Sequence, residues 1–242
     1  MKKNPIILLM ISLLFIGFTA CKKVDPSPTP RIIVPTPAPP PTSGSADFTK
    51  YIAIGNSLTA GFTNGGLYNA GMAVSYPNLL AGQFAQAGGG AFSQPLFGAG
   101  QENGSGYLKL TALPSTITQE TTNLGIIGMG SDPNKTNLLA KYTGDLNNLG
   151  IPGLSAFTAV LPNYGLNNTV SAFNNYYERL LGTADATSSY ADFLTTKANG
   201  ATFFTYWLGN NDALGYAVAG GNAPALITST TDFSNNTKAL LD

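Results

Sequence analysis

Histidine is missing altogether from this sequence of 242 residues, cysteine occurs once, and charged residues make up only 10%. Each scarcity excludes something. Histidine is the side chain whose ordinary pKa lies nearest neutrality, so no imidazole can act as general base or metal ligand within these residues. A single cysteine rules out an intramolecular disulfide and any cysteine-rich metal site. The charge content compares with roughly 25% in an average soluble protein. Asn, Gly, Ser and Thr fill the gap, a composition commoner on exported proteins than on cytosolic ones. Twelve basic residues balance twelve acidic ones, and no Lys/Arg cluster has aromatic residues interleaved, which argues against nucleic acid as a partner. "AGGGA" around Gly88 lacks the lysine and the spacing of a P-loop, and no metal cluster is legible, so no cofactor is implied.

What is present begins at the N-terminus. "MKKNPIILLMISLLFIGFTACKK" opens on two lysines, runs through an apolar stretch from Ile6 to Phe18, and reaches Thr19-Ala20-Cys21. That is the layout of a secretory signal, with small residues before a cleavage point. The apolar run is short for a spanning helix, which needs about 20 residues. The only cysteine, directly after the small residues, resembles the lipobox of bacterial lipoproteins, in which Cys21 would be lipidated. Phe18 stands where an aliphatic residue is more usual. The alternative is a plain signal peptide or membrane anchor followed by a chance cysteine. Residues 1–20 are thus expected to be a signal peptide. Eight of the sixteen prolines fall between Pro26 and Pro41. Proline withholds backbone donors and favours extended polyproline II at about 3.1 Å per residue, so residues 21–47 read as a semi-rigid tether. Together they place the expected protein on the bacterial cell envelope, lipid-anchored at the outer membrane.

The folded part is expected over 48–242. "KYIAIG" (50–55) has the length and composition of a strand buried on both faces. "SYPNLLAGQFAQAGG" predicts a helix capped by Ser75, with Pro77 in its first turn and Gly88 as its stop. From 89 to about 143 the pattern weakens into Gly-, Asn- and Thr-rich sequence, read as an insertion. Helical spacing returns at Val170, Phe173, Tyr177, Leu180 and Leu181, and again at Tyr190, Phe193, Leu194 and Ala198 before Gly200. "ATFFTYWLG" (201–209) predicts a strand with Trp207 and the Phe203/Phe204 pair as core. "TSTTDFSNNTKALLD" opens a last helix under a Thr or Asp cap. Strands alternating with helices predict a parallel sheet covered on both faces.

In such a sheet, ligands sit beyond the carboxyl ends of the strands. Three polar clusters fall there: Gly55-Asn56-Ser57-Leu58, "NNLGIPG" (147–153), and Gly209-Asn210-Asn211-Asp212. A serine, a glycine amide and an asparagine carboxamide would supply a nucleophile and two oxyanion donors, with the Ser57 N–H as a third. These blocks resemble the SGNH/GDSL hydrolase family over about 48–66, 146–155 and 203–216. "GNSL" is similar to its GDSL block, "NLGIPG" to its second block, and "LGNNDAL" to its G-x-N-D block. The resemblance implies a three-layer α/β/α flavodoxin-like parallel sheet (the SGNH hydrolase fold), with Ser57 as nucleophile and Gly153 and Asn211, not Asn210, as oxyanion donors. Asn56 stands where the family has aspartate. The family's Asp-x-x-His block is absent. The fold is therefore expected to be incomplete at the C-terminus, and the 242 residues inactive as they stand.

The expected function is an envelope-anchored serine ester hydrolase, esterase- or lipase-like, acting on a small-molecule, lipid or carbohydrate ester. The alternative is a non-catalytic surface lipoprotein that binds carbohydrate or another envelope ligand, the hydrolase-like blocks being relics.

Overall fold

The apolar run at Tyr51 forms β1 (Tyr51–Gly55), and every residue of it is buried. In the computed structural model, which describes residues 39–168 and 173–242, β1 is the middle of three parallel strands. It pairs on one side with β6 (Asn148–Gly150) and on the other with β7 (Phe203–Trp207). Alternate residues of β1 face opposite ways, as strand geometry dictates. Ile52 and Ile54 join a core with Leu149, Ile151, Leu154, Tyr177, Tyr190 and Phe193, whereas Tyr51 and Ala53 pack with Ala81, Phe84, Phe92 and Phe203. The unit Pro40–Asp242 is thus a mixed α/β fold whose parallel sheet is flanked by helices on both faces. The signal segment 1–20, Cys21 and Val170 lie outside the described residues, as does the tether through residue 38.

On one face lies α3 (Tyr76–Gln86), with Pro77 in its first turn and Gly88 in the left-handed region just past its end. Ser75 occupies the cap position, but its hydroxyl donates to Gln94 Oε1 at 3.1 Å instead of capping the helix. On the other face are α6 (Tyr190–Lys197), closed at its start by a reciprocal Ser189–Asp192 capping box, and α8 (Thr230–Leu241), capped by Ser229, not by a Thr or Asp. The helix expected around Tyr177 shrinks to one turn, α5 (Asn175–Glu178). The amides of Leu180 and Leu181 bond back to Tyr177 and Glu178 in i→i+3 turns, so burial keeps the spacing while the helix does not continue.

The stretch 89–143 carries two antiparallel hairpins, β2 (Leu108–Ala112) with β3 (Thr116–Gln119) and β4 (Ile126–Met129) with β5 (Asn137–Leu139). Arg179, almost wholly buried, ties this region down. Its guanidinium donates to the carbonyls of Pro95 (2.8 Å) and Ala140 (3.1 Å) and lies 4.0 Å over the Phe97 ring. Burial pulls its pKa down to about 10, which still leaves it charged near neutrality.

Candidate functional site

The register sets Gly55 of β1 opposite both Gly150 of β6 and Trp207 of β7, so the three strands end at one rim. The chain leaving each end carries one of the sequence-predicted residues. After β1, Asn56 is fully buried and caps the four-residue α1 (Ser57–Ala60), its Oδ1 accepting from the Leu58 N–H. Ser57 is thereby fixed as the first helical residue. α1 sits directly against β6: a Cβ on Gly150 would lie 2.3 Å from the Ala60 nitrogen, and one on Gly55 would lie 2.1 Å from Thr59 Oγ1. Only glycine permits that approach.

After β6, the chain turns at Pro152-Gly153. Gly153 has φ +82°, in the left-handed region. Asn174 holds this loop, donating to Pro152 O at 2.8 Å and to the Tyr164 hydroxyl at 3.1 Å. After β7, Asn210 and Asn211 begin α7 (Asn210–Val218). Asn210 accepts a hydrogen bond from Asn56 Nδ2, which joins the first and third polar clusters. Asn211 Nδ2 donates to Leu154 O at 2.8 Å, which ties the third cluster to the residue directly after the second. A carboxamide nitrogen has two hydrogens, so one remains.

Sequence reasoning did not single out Asp212. Its buried carboxylate accepts from the Ala156 N–H (2.7 Å), the Phe157 N–H (3.0 Å) and the Thr228 hydroxyl (2.9 Å). It thereby clamps the start of α4 (Ala156–Ala159), immediately after the Gly153 loop. Its neighbour Asn211 masked it; the signal was an acid following an amide that must itself be held in place.

Ser57, Gly153 and Asn211 line a single cavity of about 830 Å³. Neither the Ser57 hydroxyl nor the amides of Ser57 and Gly153 are hydrogen-bonded among the described residues. Residues with three free N–H donors and one free hydroxyl therefore line the same cavity. Among the described residues no charged side chain lines the cavity. Its titratable member there, Tyr176, has its phenol pushed up by burial, so none of the described wall residues accepts a proton near neutral pH. Trp207 and Phe204, expected in the core, are instead half exposed; only Phe203 packs inward, against Phe48, Phe84 and Tyr51. Trp207 faces a second cavity of about 430 Å³ on the other flank of α1, with Leu58, Val74 and Tyr76. Comparison of the chain with family models, curated proteins and solved structures finds no match.

Proposed function

We propose that the chain carries the nucleophile and oxyanion donors of a serine ester hydrolase of the SGNH/GDSL type, on an α/β/α sheet of that family's order. The observation that supports this most is the shared cavity, in which an unpaired serine hydroxyl stands with free N–H groups of Ser57, Gly153 and Asn211. Ser57 Oγ attacks the ester carbonyl, and the charge that develops on oxygen meets the three donors. Residues 1–242 hold no histidine to take the Ser57 proton. Asp212 is fully engaged as a clamp and does not serve.

The protein isolated from its source cells is expected to take a fluorophosphonate label on the peptide containing Ser57. Ser57→Ala should abolish that label, and Asn211→Ala should lower turnover roughly 10²–10³-fold. Label that persists in Ser57→Ala refutes the assignment. The same reading keeps Cys21 as a lipid anchor at the envelope; Cys21→Ala should move the protein from the membrane to the soluble fraction. Among the described residues no helix is long and apolar enough to cross a membrane.

A second reading, a non-catalytic lipoprotein that binds carbohydrate, is favoured by the absent histidine and by the half-exposed Trp207 beside Tyr76, with ring centroids 5.9 Å apart. Absence of phosphonate label together with retention on a polysaccharide column, lost in Trp207→Ala, would select it.

A further inference from the structure

The wall of the cavity beside Ser57 is part polar and mostly apolar. Ser57, Gly153 and Asn211 bring the free donors, enough for one carbonyl oxygen. The apolar part includes Phe62 and Tyr176, whose rings meet edge-on at 6.0 Å between centroids, and Leu214, Val218 and Leu226. Of two further carboxamides on the wall, Asn174 is fully committed: it gives both its amide hydrogens to Pro152 and Tyr164 and accepts from the Tyr177 N–H. Asn175 gives one amide hydrogen to Asn137 O at 2.8 Å and keeps the other. A polyhydroxylated group entering here would find too few partners for its hydroxyls, each unpaired one at a real desolvation cost. Among the described residues a charged group would find no counter-ion on the wall. The cavity, about 830 Å³, is an open cleft whose wall is mostly apolar with a few polar groups, the usual make-up of small-molecule sites.

We propose that this cavity holds the acyl chain of the substrate, a straight apolar chain of several methylenes running from the carbonyl at Ser57 along Leu214 and Val218 of α7. The assignment rests on the ester-hydrolase reading for the identity of the bound carbonyl. It selects acyl esters with an apolar acid part over acetylated sugars.

Binding of the series acetamide, butanamide, hexanamide and octanamide to the full chain tests it without requiring catalysis. The amide carbonyl engages the free donors, and affinity should rise about two- to fourfold per added methylene, or roughly 10²-fold from butanamide to octanamide at the upper slope. Leu214 and Val218 are 51% and 79% exposed, so Leu214→Asp and Val218→Asp leave folding intact while flattening the series. Val74→Asp, on the smaller cavity, should leave the slope unchanged. A flat series in the unaltered protein overturns the proposal, and so does a slope that survives both aspartates. A rising series with no phosphonate label on Ser57 would sink the hydrolase and keep the apolar-chain site; a flat series with the label would do the reverse.

Discussion

Three residues near the rim separate the ways a side chain can be required. At Gly153 the requirement is conformational: φ is +82°, and an added Cβ would meet only Asn174 Nδ2, at 3.5 Å. Gly153→Ala should therefore cost about 1–2 kcal/mol, the ordinary penalty for an L-residue in that region. Gly55 is a matter of space, since an added Cβ would press on Thr59 Oγ1 at 2.1 Å and on the Trp207 carbonyl at 2.7 Å. Backbone cannot give way as a flexible side chain can, so Gly55→Ala should cost more than Gly153→Ala, about 3 kcal/mol or above. Urea unfolding of the two variants decides the order, and equal midpoints would refute the packing of α1 against the strand ends. Asp212 is required for its acceptors. Asp212→Ala strands two N–H groups at the start of α4 and should cost about 2–4 kcal/mol, whereas Asp212→Asn, which keeps one acceptor oxygen, should lose about half as much.

Among the elements, the β2–β3 hairpin depends on pH through one carboxylate. Glu120 accepts from Lys109 Nζ at 2.6 Å and from the hydroxyl and amide of Thr122. The hydrogen bond from Lys109, then those from Thr122, hold its pKa down at about 2 from an ordinary 4.5. A depressed carboxylate contributes stability that is fully present above its unfolded value and is lost as pH falls toward the folded one. The hairpin amides should accordingly exchange faster, relative to those of β1, as pH drops from about 4.5 toward about 2, and Glu120→Gln should flatten that dependence. This hairpin also shows where the sequence ceases to be legible. β1, α3 and α6 have limits that agree with the sequence reading to within one or two residues, and β1 and α6 are buried on the faces their patterns indicate; α3 buries Pro77 and Ala81 and leaves Leu79 exposed. Every residue of β2 and β3 is exposed, so no burial period marks them, and Leu108, Leu110 and Ile117 are about half exposed or more. Phe204 and Trp207 were misjudged for a related reason. A strand apolar on both faces does not reveal that it lies at an edge, because that depends on which strand pairs with it. The first and third polar clusters were legible because each follows a strand, whereas the second holds β6 itself, three residues too short to show a period; that the three share a cavity depends on strand order, which local sequence does not encode.

At the scale of the whole molecule, the two edges of the parallel sheet are unlike. The β6 edge is closed: all three of its residues are buried, the amides of Asn147 and Asn148 donate to Ser93 O, and the Tyr190 hydroxyl donates to Leu149 O at 2.7 Å. On the β7 side, pairing among the described residues is with β1 alone, and Phe204 and Trp207 are 53% and 49% exposed. An apolar edge strand without charge, proline or bulge is a template for further pairing. Lys50 spends its ammonium on the Asn199 carbonyl and does not guard it. The unit Pro40–Asp242, expressed alone, should therefore gain apparent mass with concentration in sedimentation velocity. Phe204→Lys, which places a charge on the open edge without touching the cavity beside Ser57, should return it to a monomer with the amide-binding slope unchanged. A mass independent of concentration in the unaltered unit would mean that the edge is shielded in solution, and the half-exposed aromatics would then need another explanation than an unpaired strand.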